Sequence, residues 1–206
     1  MKKQSNAEEK LVIERALLAK GVKYVAGVDE VGRGPLAGPV VCAAVIMPLD
    51  EGLLVEGVDD SKKLSAKKRE ALSEKIQSTA LAYTIVEIDE KTIDEINILE
   101  ATKLGMKKAI EGLKITPDTV LTDGNMKIDI SLPQTSVVHG DALSYSIGAA
   151  SIVAKVYRDK LMDEYAEKYP QYAFEKNKGY GTAAHIAGIK EYGLCPIHRK
   201  TFTKNF

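Results

Sequence analysis

Gly27-Val28-Asp29-Glu30-Val31-Gly32-Arg33-Gly34-Pro35-Leu36-Ala37-Gly38-Pro39 sets two neighbouring carboxylates ahead of a glycine-rich turn that carries one arginine. The residues leading into it, Tyr24-Val25-Ala26-Gly27-Val28, are β-formers and small residues, the composition of a short buried strand. Side chains on a strand alternate between its faces, so Asp29 and Glu30 cannot both point away from the core. A buried carboxylate is costly unless it is paired or holds a cation. Glycines let the backbone approach a ligand closely, and the planar guanidinium of Arg33 suits phosphate. Together these features suggest metal-assisted chemistry on a phosphate. A polar strand end running into a tight Gly/Pro turn accounts for the same residues without any chemistry.

Downstream, residues 40–46 are continuously apolar, as expected of a strand buried on both faces, and residues 81–88 alternate as a third strand. Pro117 and Asp118 turn into a short strand over 119–125 that carries Asp123 near its end. A parallel strand beside the first would bring this third acid to Asp29 and Glu30. A further strand over 135–139 leads through Gly140-Asp141 into a long helix from 142 to about 168, for which Asp141 suits as N-cap. The early turns of that helix hold Ser144, Ser146, Gly148, Ala149, Ala150, Ser151 and Ala154. Residues so small allow close approach to the sheet, which would set Asp141 near the strand ends. Other helices are expected over 6–19 with Asn6 as cap, 66–79 with Ser65, 97–112, and 183–192 with Thr182. In Asn177-Lys178-Gly179-Tyr180-Gly181, glycines flank a tyrosine and can present its ring to a partner.

Lys+Arg and Asp+Glu both number 29, so net charge gives no global signature of nucleic-acid binding. The distribution is uneven. Residues 87–100 hold six acids and one lysine, read as helix-start and solvated charges. Residues 61–70 hold five bases and one acid, and residues 176–206 six bases and one acid. A neutral protein can still turn a basic face to a phosphate backbone. Lys67, Lys68 and Arg69 suit a solvated helix face, while Lys155 and Arg158, one turn apart, could meet a nucleic-acid backbone or form ion pairs with Asp159. Cys42 and Cys195 lack the spacing of a zinc site or disulfide scaffold, and no apolar run approaches the ~18 residues of a membrane span. A cytoplasmic protein with no membrane partner is expected.

Val28-Asp29-Glu30-Val31-Gly32-Arg33-Gly34-Pro35-Leu36-Ala37-Gly38-Pro39-Val40 resembles the opening motif of bacterial ribonuclease HII. The resemblance continues, in order, through Asp60-Ser61-Lys62, Asp123-Gly124, Gly140-Asp141, the run from Ala149 to Asp159, Lys178-Gly179-Tyr180-Gly181-Thr182 and His198-Arg199. Ribonuclease HIII is similar but has an added N-terminal domain and a glutamate as fourth acid; a short leader and Asp141 favour HII. Arg199-Lys200-Thr201-Phe202 has threonine where the family more often has serine.

The resemblance implies one domain over residues 1–206 with a ribonuclease H-like α/β fold. A central mixed five-stranded sheet would be flanked by helices, with a small helical C-terminal part. It implies an endoribonuclease that cuts the RNA strand of RNA–DNA hybrids and nicks beside single ribonucleotides in duplex DNA, leaving 5′-phosphate and 3′-hydroxyl ends. The four acids would be Asp29, Glu30, Asp123 and Asp141, both catalytic and metal-binding. Gly32, Arg33 and Gly34 would contact the backbone around the 2′-hydroxyl, and Tyr180 the RNA–DNA junction. Ser61, Lys62, Lys155, Arg158, His198 and Arg199 would complete the substrate contacts. Hard oxygen donors suit Mg²⁺ or Mn²⁺, as a two-metal site in the substrate complex. The protein is expected to act as a monomer, and no motif assigns a replication-clamp partner. A non-catalytic hybrid-binding module on the same fold would favour bases where four acids stand. A nucleotide-dependent phosphotransferase would need two such domains.

Overall fold

A computed structural model of the chain describes residues 6–58 and 64–205. Strand β1 (Val25–Val31) lies at the centre of a five-stranded mixed sheet, ordered β3-β2-β1-β4-β5. Strands β2 (Val40–Ile46) and β3 (Ala82–Ile88) extend it antiparallel on one side. On the other side β4 (Thr119–Asp123) and β5 (Gln134–Val137) run parallel. Every residue of β2 is buried, as its unbroken apolar run requires of a strand covered on both faces. The fold expectation of the sequence holds.

Helices cover both faces. On one lie α3 (Ala66–Thr79) and the long α6 (Tyr145–Lys168), sharing a core with Val41, Ala43 and Val45. On the other, α4 (Glu90–Glu111) packs Met106, Ala109 and Ile110 against Ala26, Val28 and Cys42. The small residues of α6 have a definite purpose. A Cβ placed on Gly27 would lie 2.1 Å from the backbone of Ser146, so helix and strand touch main chain to main chain. The C-terminal helices α7 (Phe174–Asn177) and α8 (Ala183–Tyr192) close over a third apolar cluster with Ala37, Met162 and Tyr172.

Three helices differ from the sequence expectation. The N-terminal one breaks into α1 (Asn6–Glu9) and α2 (Val12–Leu18), because the Lys10 carbonyl is diverted to accept the Tyr145 N–H at 3.1 Å. The expected capping role of the Asn6 side chain lies outside the described residues. Helix α4 starts seven residues before the expected position and kinks at Asn97 (φ 67°), whose Oδ1 accepts the N–H groups of Leu99 and Glu100 and so caps the second half. The third is the long helix. It is preceded by a short α5 (Gly140–Leu143), and Ser144, not Asp141, caps it by accepting from Ile147 N–H. Ser65 and Thr182 cap α3 and α8 as expected.

Candidate active site

The register of the central strands sets the first three acids. Val28 of β1 pairs with Thr122 of β4, so one further step along both strands reaches Asp29 and Asp123. Asp29 shares the face of Gly27 and Val31, towards α6, where the Ser151 side chain hydrogen-bonds it. Glu30 takes the opposite face and pairs with Arg33, Nη1 to Oε1 at 3.4 Å. Asp29, Glu30 and Asp123 line one cleft of about 280 Å³ with Val31, Ser151, Lys155 and Tyr180. A larger hollow of about 540 Å³, between Leu18, Tyr24, Pro48 and Leu81, contains a single acid, Asp50, and so lacks a carboxylate group of this kind.

Asp141 approaches by a different route. Asp123 Oδ1 accepts the Gly140 N–H at 2.6 Å, which draws the residue before Asp141 onto the end of β4. Lys10 donates from Nζ to the Asp141 carbonyl at 3.3 Å. Asp141 itself is buried and does not line the cleft of the other three. One turn on, the fully buried Glu14 accepts from Ser144 Oγ at 2.6 Å and from Ser146 N–H at 3.0 Å. A carboxylate at a helix N-terminus is favoured by the helix dipole. Lys10 and Glu14 were not among the residues singled out from sequence, and Ser151 was read there only for its small size and as part of a longer motif. Two polar residues four apart in a leader helix are an everyday surface pattern, and their partners lie about 130 positions away.

Burial dominates the electrostatics. It raises the Asp29 carboxyl well above the ordinary carboxylate range; Glu30 and Asp123 raise it further, and the Ser151 bond works against them. Glu30 is also raised by burial, with Arg33 opposing and Asp123 reinforcing. Its Oε2 is buried and finds no hydrogen-bond partner among the described residues. Crowded carboxylates with an unsatisfied oxygen favour a cation, and an all-oxygen donor set fits a hard divalent ion. Among the described residues, no group of three His, Cys, Asp or Glu side chains is arranged to hold a metal ion by itself. An ion that keeps its waters and shares its coordination with substrate phosphate does not need one.

The loop after β1 is fixed from behind. Arg158, fully buried, donates to the carbonyls of Pro39, Lys178 and Ala37 at 2.9–3.1 Å. Arg199, also fully buried, donates to Gly32, Arg33 and Gly38. Gly32 has φ +90°, and a Cβ there would lie 2.1 Å from Arg158 Nε, so only glycine suits the position. The expectation that Arg158, Arg199 and His198 contact substrate is therefore corrected. Buried guanidinium groups must satisfy their donors, and the turn supplies more carbonyls than its own backbone can use. His198 is buried as well, within the C-terminal cluster.

The remaining candidates fall into three groups. Arg33 and Gly34 are exposed at the rim, and the Tyr180 ring lies beside Gly34, 47% exposed. Lys155 lines the cleft while pairing with Asp159 at 2.6 Å, and Arg69 reaches the other oxygen of Asp159 at 3.6 Å. That second pair ties α3 to α6, so Arg69 is not simply a solvated charge. Ser61 and Lys62 lie outside the described residues. In the acidic segment Asp89 caps α4, and Asp94 accepts from the backbone of Lys200 and Thr201 and from the Thr201 hydroxyl. The threonine thus keeps a hydroxyl contact at that position. No described helix is long and apolar enough to cross a membrane.

A family model described as Ribonuclease HII matches residues 26–205. The chain is 55% identical over 199 residues to the ribonuclease HII of Ruminiclostridium cellulolyticum, covering 97% of this chain and 77% of that protein. It is 55% identical over 193 residues to that of Caldicellulosiruptor saccharolyticus, covering 94% and 93%. Among solved structures it is similar to the ribonuclease H2 from Pyrococcus horikoshii OT3, with TM-score 0.75 and 27% identity over 88% of this chain and 94% of that one.

Proposed function

The chain belongs to the ribonuclease HII family and is an endoribonuclease of the ribonuclease H type; from that premise we propose that it hydrolyses the RNA strand of RNA–DNA hybrids and nicks duplex DNA on the 5′ side of single ribonucleotides. The products are a 5′-phosphate and a 3′-hydroxyl, and the role is ribonucleotide removal in DNA replication and repair. The protein acts as a monomer in the cytoplasm.

One observation carries the reading: Asp29, Glu30 and Asp123 share a cleft with an exposed tyrosine on its wall. Asp29, Glu30, Asp123 and Asp141 would hold Mg²⁺ or Mn²⁺. Ions bound there, two in the substrate complex, supply Lewis-acid polarisation of the phosphate and a more acidic water. The chain supplies position and recognition. Asp29 and Asp123 come from adjacent parallel strands that share a fixed register. The Gly32-Arg33-Gly34 loop, whose Gly32 and Arg33 carbonyls the buried Arg199 holds, presents backbone groups to the ribose, where a 2′-hydroxyl distinguishes RNA from DNA. Tyr180 offers an aromatic face to the junction, and Lys155 a cation to the backbone.

The test is a labelled DNA duplex containing one ribonucleotide, incubated with the protein and Mg²⁺ or Mn²⁺, with EDTA as control. Metal-dependent cutting on the 5′ side of the ribonucleotide is expected. Cutting of a long hybrid alone would leave the nuclease and remove the junction role. Binding without cleavage of either substrate would overturn the proposal.

A further inference from the structure

Behind Tyr180 lie two buried histidines to which the chemistry above gives no part. Their rings are enclosed by Tyr172, 4.8 Å from His198 between centroids, and Phe174, 5.1 Å from His185. Rings so enclosed are tolerated as neutral groups with their nitrogens satisfied.

The hydrogen-bond network assigns a place to each proton of the neutral rings. The Cys195 backbone N–H donates to His198 Nδ1 at 2.9 Å, which makes that nitrogen an acceptor without a proton; the Cys195 carbonyl, 3.3 Å from it, already accepts the His198 backbone N–H at 3.0 Å. The Cys195 sulfur, 3.1 Å from the same nitrogen, can only add a second donor. A neutral His198 must then be protonated at Nε2, which faces His185 Nε2 at 3.0 Å. His185 Nε2 accepts, and its own proton sits on Nδ1, which donates to the Tyr180 carbonyl at 2.9 Å. The chain therefore runs one way, from the Cys195 amide through two rings to the backbone of the exposed tyrosine. An extra proton anywhere along it sets two N–H groups head to head. The Tyr180 carbonyl also accepts from Thr182 N–H at 2.8 Å, so it is held by two donors.

We propose that His185 and His198 are positioning residues for Tyr180: their one-way hydrogen-bond chain fixes the tyrosine's backbone and so aims its ring over the acid cleft. This rests on the reading that Tyr180 meets the nucleic acid. The pair acts through the tyrosine and touches no substrate, which also accounts for a buried His198 so close to the site.

The test combines cleavage with spectroscopy. His185→Asn and His198→Leu are each assayed on a duplex with one ribonucleotide, alone and together with Tyr180→Ala, with thermal melting as a check on folding. Misplacing the ring by about an ångström should slow cleavage by roughly ten- to a hundredfold. The histidine effects should vanish once Tyr180 is alanine. His198→Gln, whose amide can accept from Cys195 and donate to His185, should recover most of what His198→Leu loses. In the unaltered protein, ¹⁵N-histidine spectra should show His198 as the Nε2–H tautomer and His185 as the Nδ1–H tautomer. Effects that add to that of Tyr180→Ala would assign the pair to the fold alone and overturn the proposal. Any other pair of tautomers would do the same, and that measurement decides if a variant fails to fold. Slow cleavage by Tyr180→Ala beside normal histidine variants would remove the strut and keep the tyrosine's role. Normal cleavage by Tyr180→Ala would remove both.

Discussion

The carboxylate of Asp123 accepts the backbone N–H of Gly140 at 2.6 Å, so one acid of the cleft holds in place the residue that precedes Asp141. On the proposed function Asp123 has two tasks that substitution can separate. Asn retains an oxygen to accept the amide, whereas Ala does not. Both variants should lose cleavage, by more than about a hundredfold if even an outer partner of a metal site is worth 10–100-fold. Only Asp123→Ala should also lose stability, by about 1.5–3 kcal/mol for a hydrogen bond to a charged acceptor. Calorimetry of the two variants checks this; equal melting temperatures would sever the link between Asp123 and the Asp141 loop.

The raised carboxyls of Asp29 and Glu30 set a pH dependence with a definite sign. The folded protein binds these protons more tightly than the unfolded chain. Metal-free stability from this pair is therefore greatest in acid and falls as pH rises from the ordinary carboxylate range through the raised values. A bound cation competes with the same protons. The rise in melting temperature produced by Mg²⁺ should grow with pH across that window and fade below it. A metal effect that does not change with pH would show that these carboxyls are not where the ion binds.

Asp29→Asn removes one buried charge without removing volume. Metal-free protein carrying it should melt no lower than the parent at pH 8, since the lost carboxylate was opposed by burial and by Glu30. Cleavage should nearly disappear while duplex binding persists. Loss of binding in a gel-shift assay in parallel with cleavage would contradict this.

Arg199→Lys replaces a planar fork that serves three carbonyls with a single ammonium. Leaving such acceptors unsatisfied should cost about 3 kcal/mol, or roughly 6–12 °C in melting temperature for a chain of this size. Arg33→Lys, at the exposed rim, should leave stability nearly unchanged. Thermal melting of the two variants distinguishes a clamp from a contact.

Local rules made much of this protein legible before any contact was known. An unbroken apolar run specified β2, Ser65 and Thr182 marked the starts of α3 and α8, and Asp29-Glu30 followed by glycines pointed to the cleft that these acids line with Asp123. Those features depend on strand alternation, capping geometry and turn residues, which act over a few positions. The break at Lys10 did not follow from spacing, because it depends on Tyr145 far along the chain, and nothing local announced that the capping Ser144 would also donate its hydroxyl to Glu14. The destination of the charged side chains was decided by tertiary structure alone. The sequence leaves Arg158 between a nucleic-acid backbone and an ion pair, and the resemblance makes Arg199 a substrate contact, yet both turn inward to carbonyls 119 and 161 positions away. A guanidinium goes where the fold leaves acceptors unsatisfied. That is a property of the assembled backbone, and no neighbouring residue encodes it.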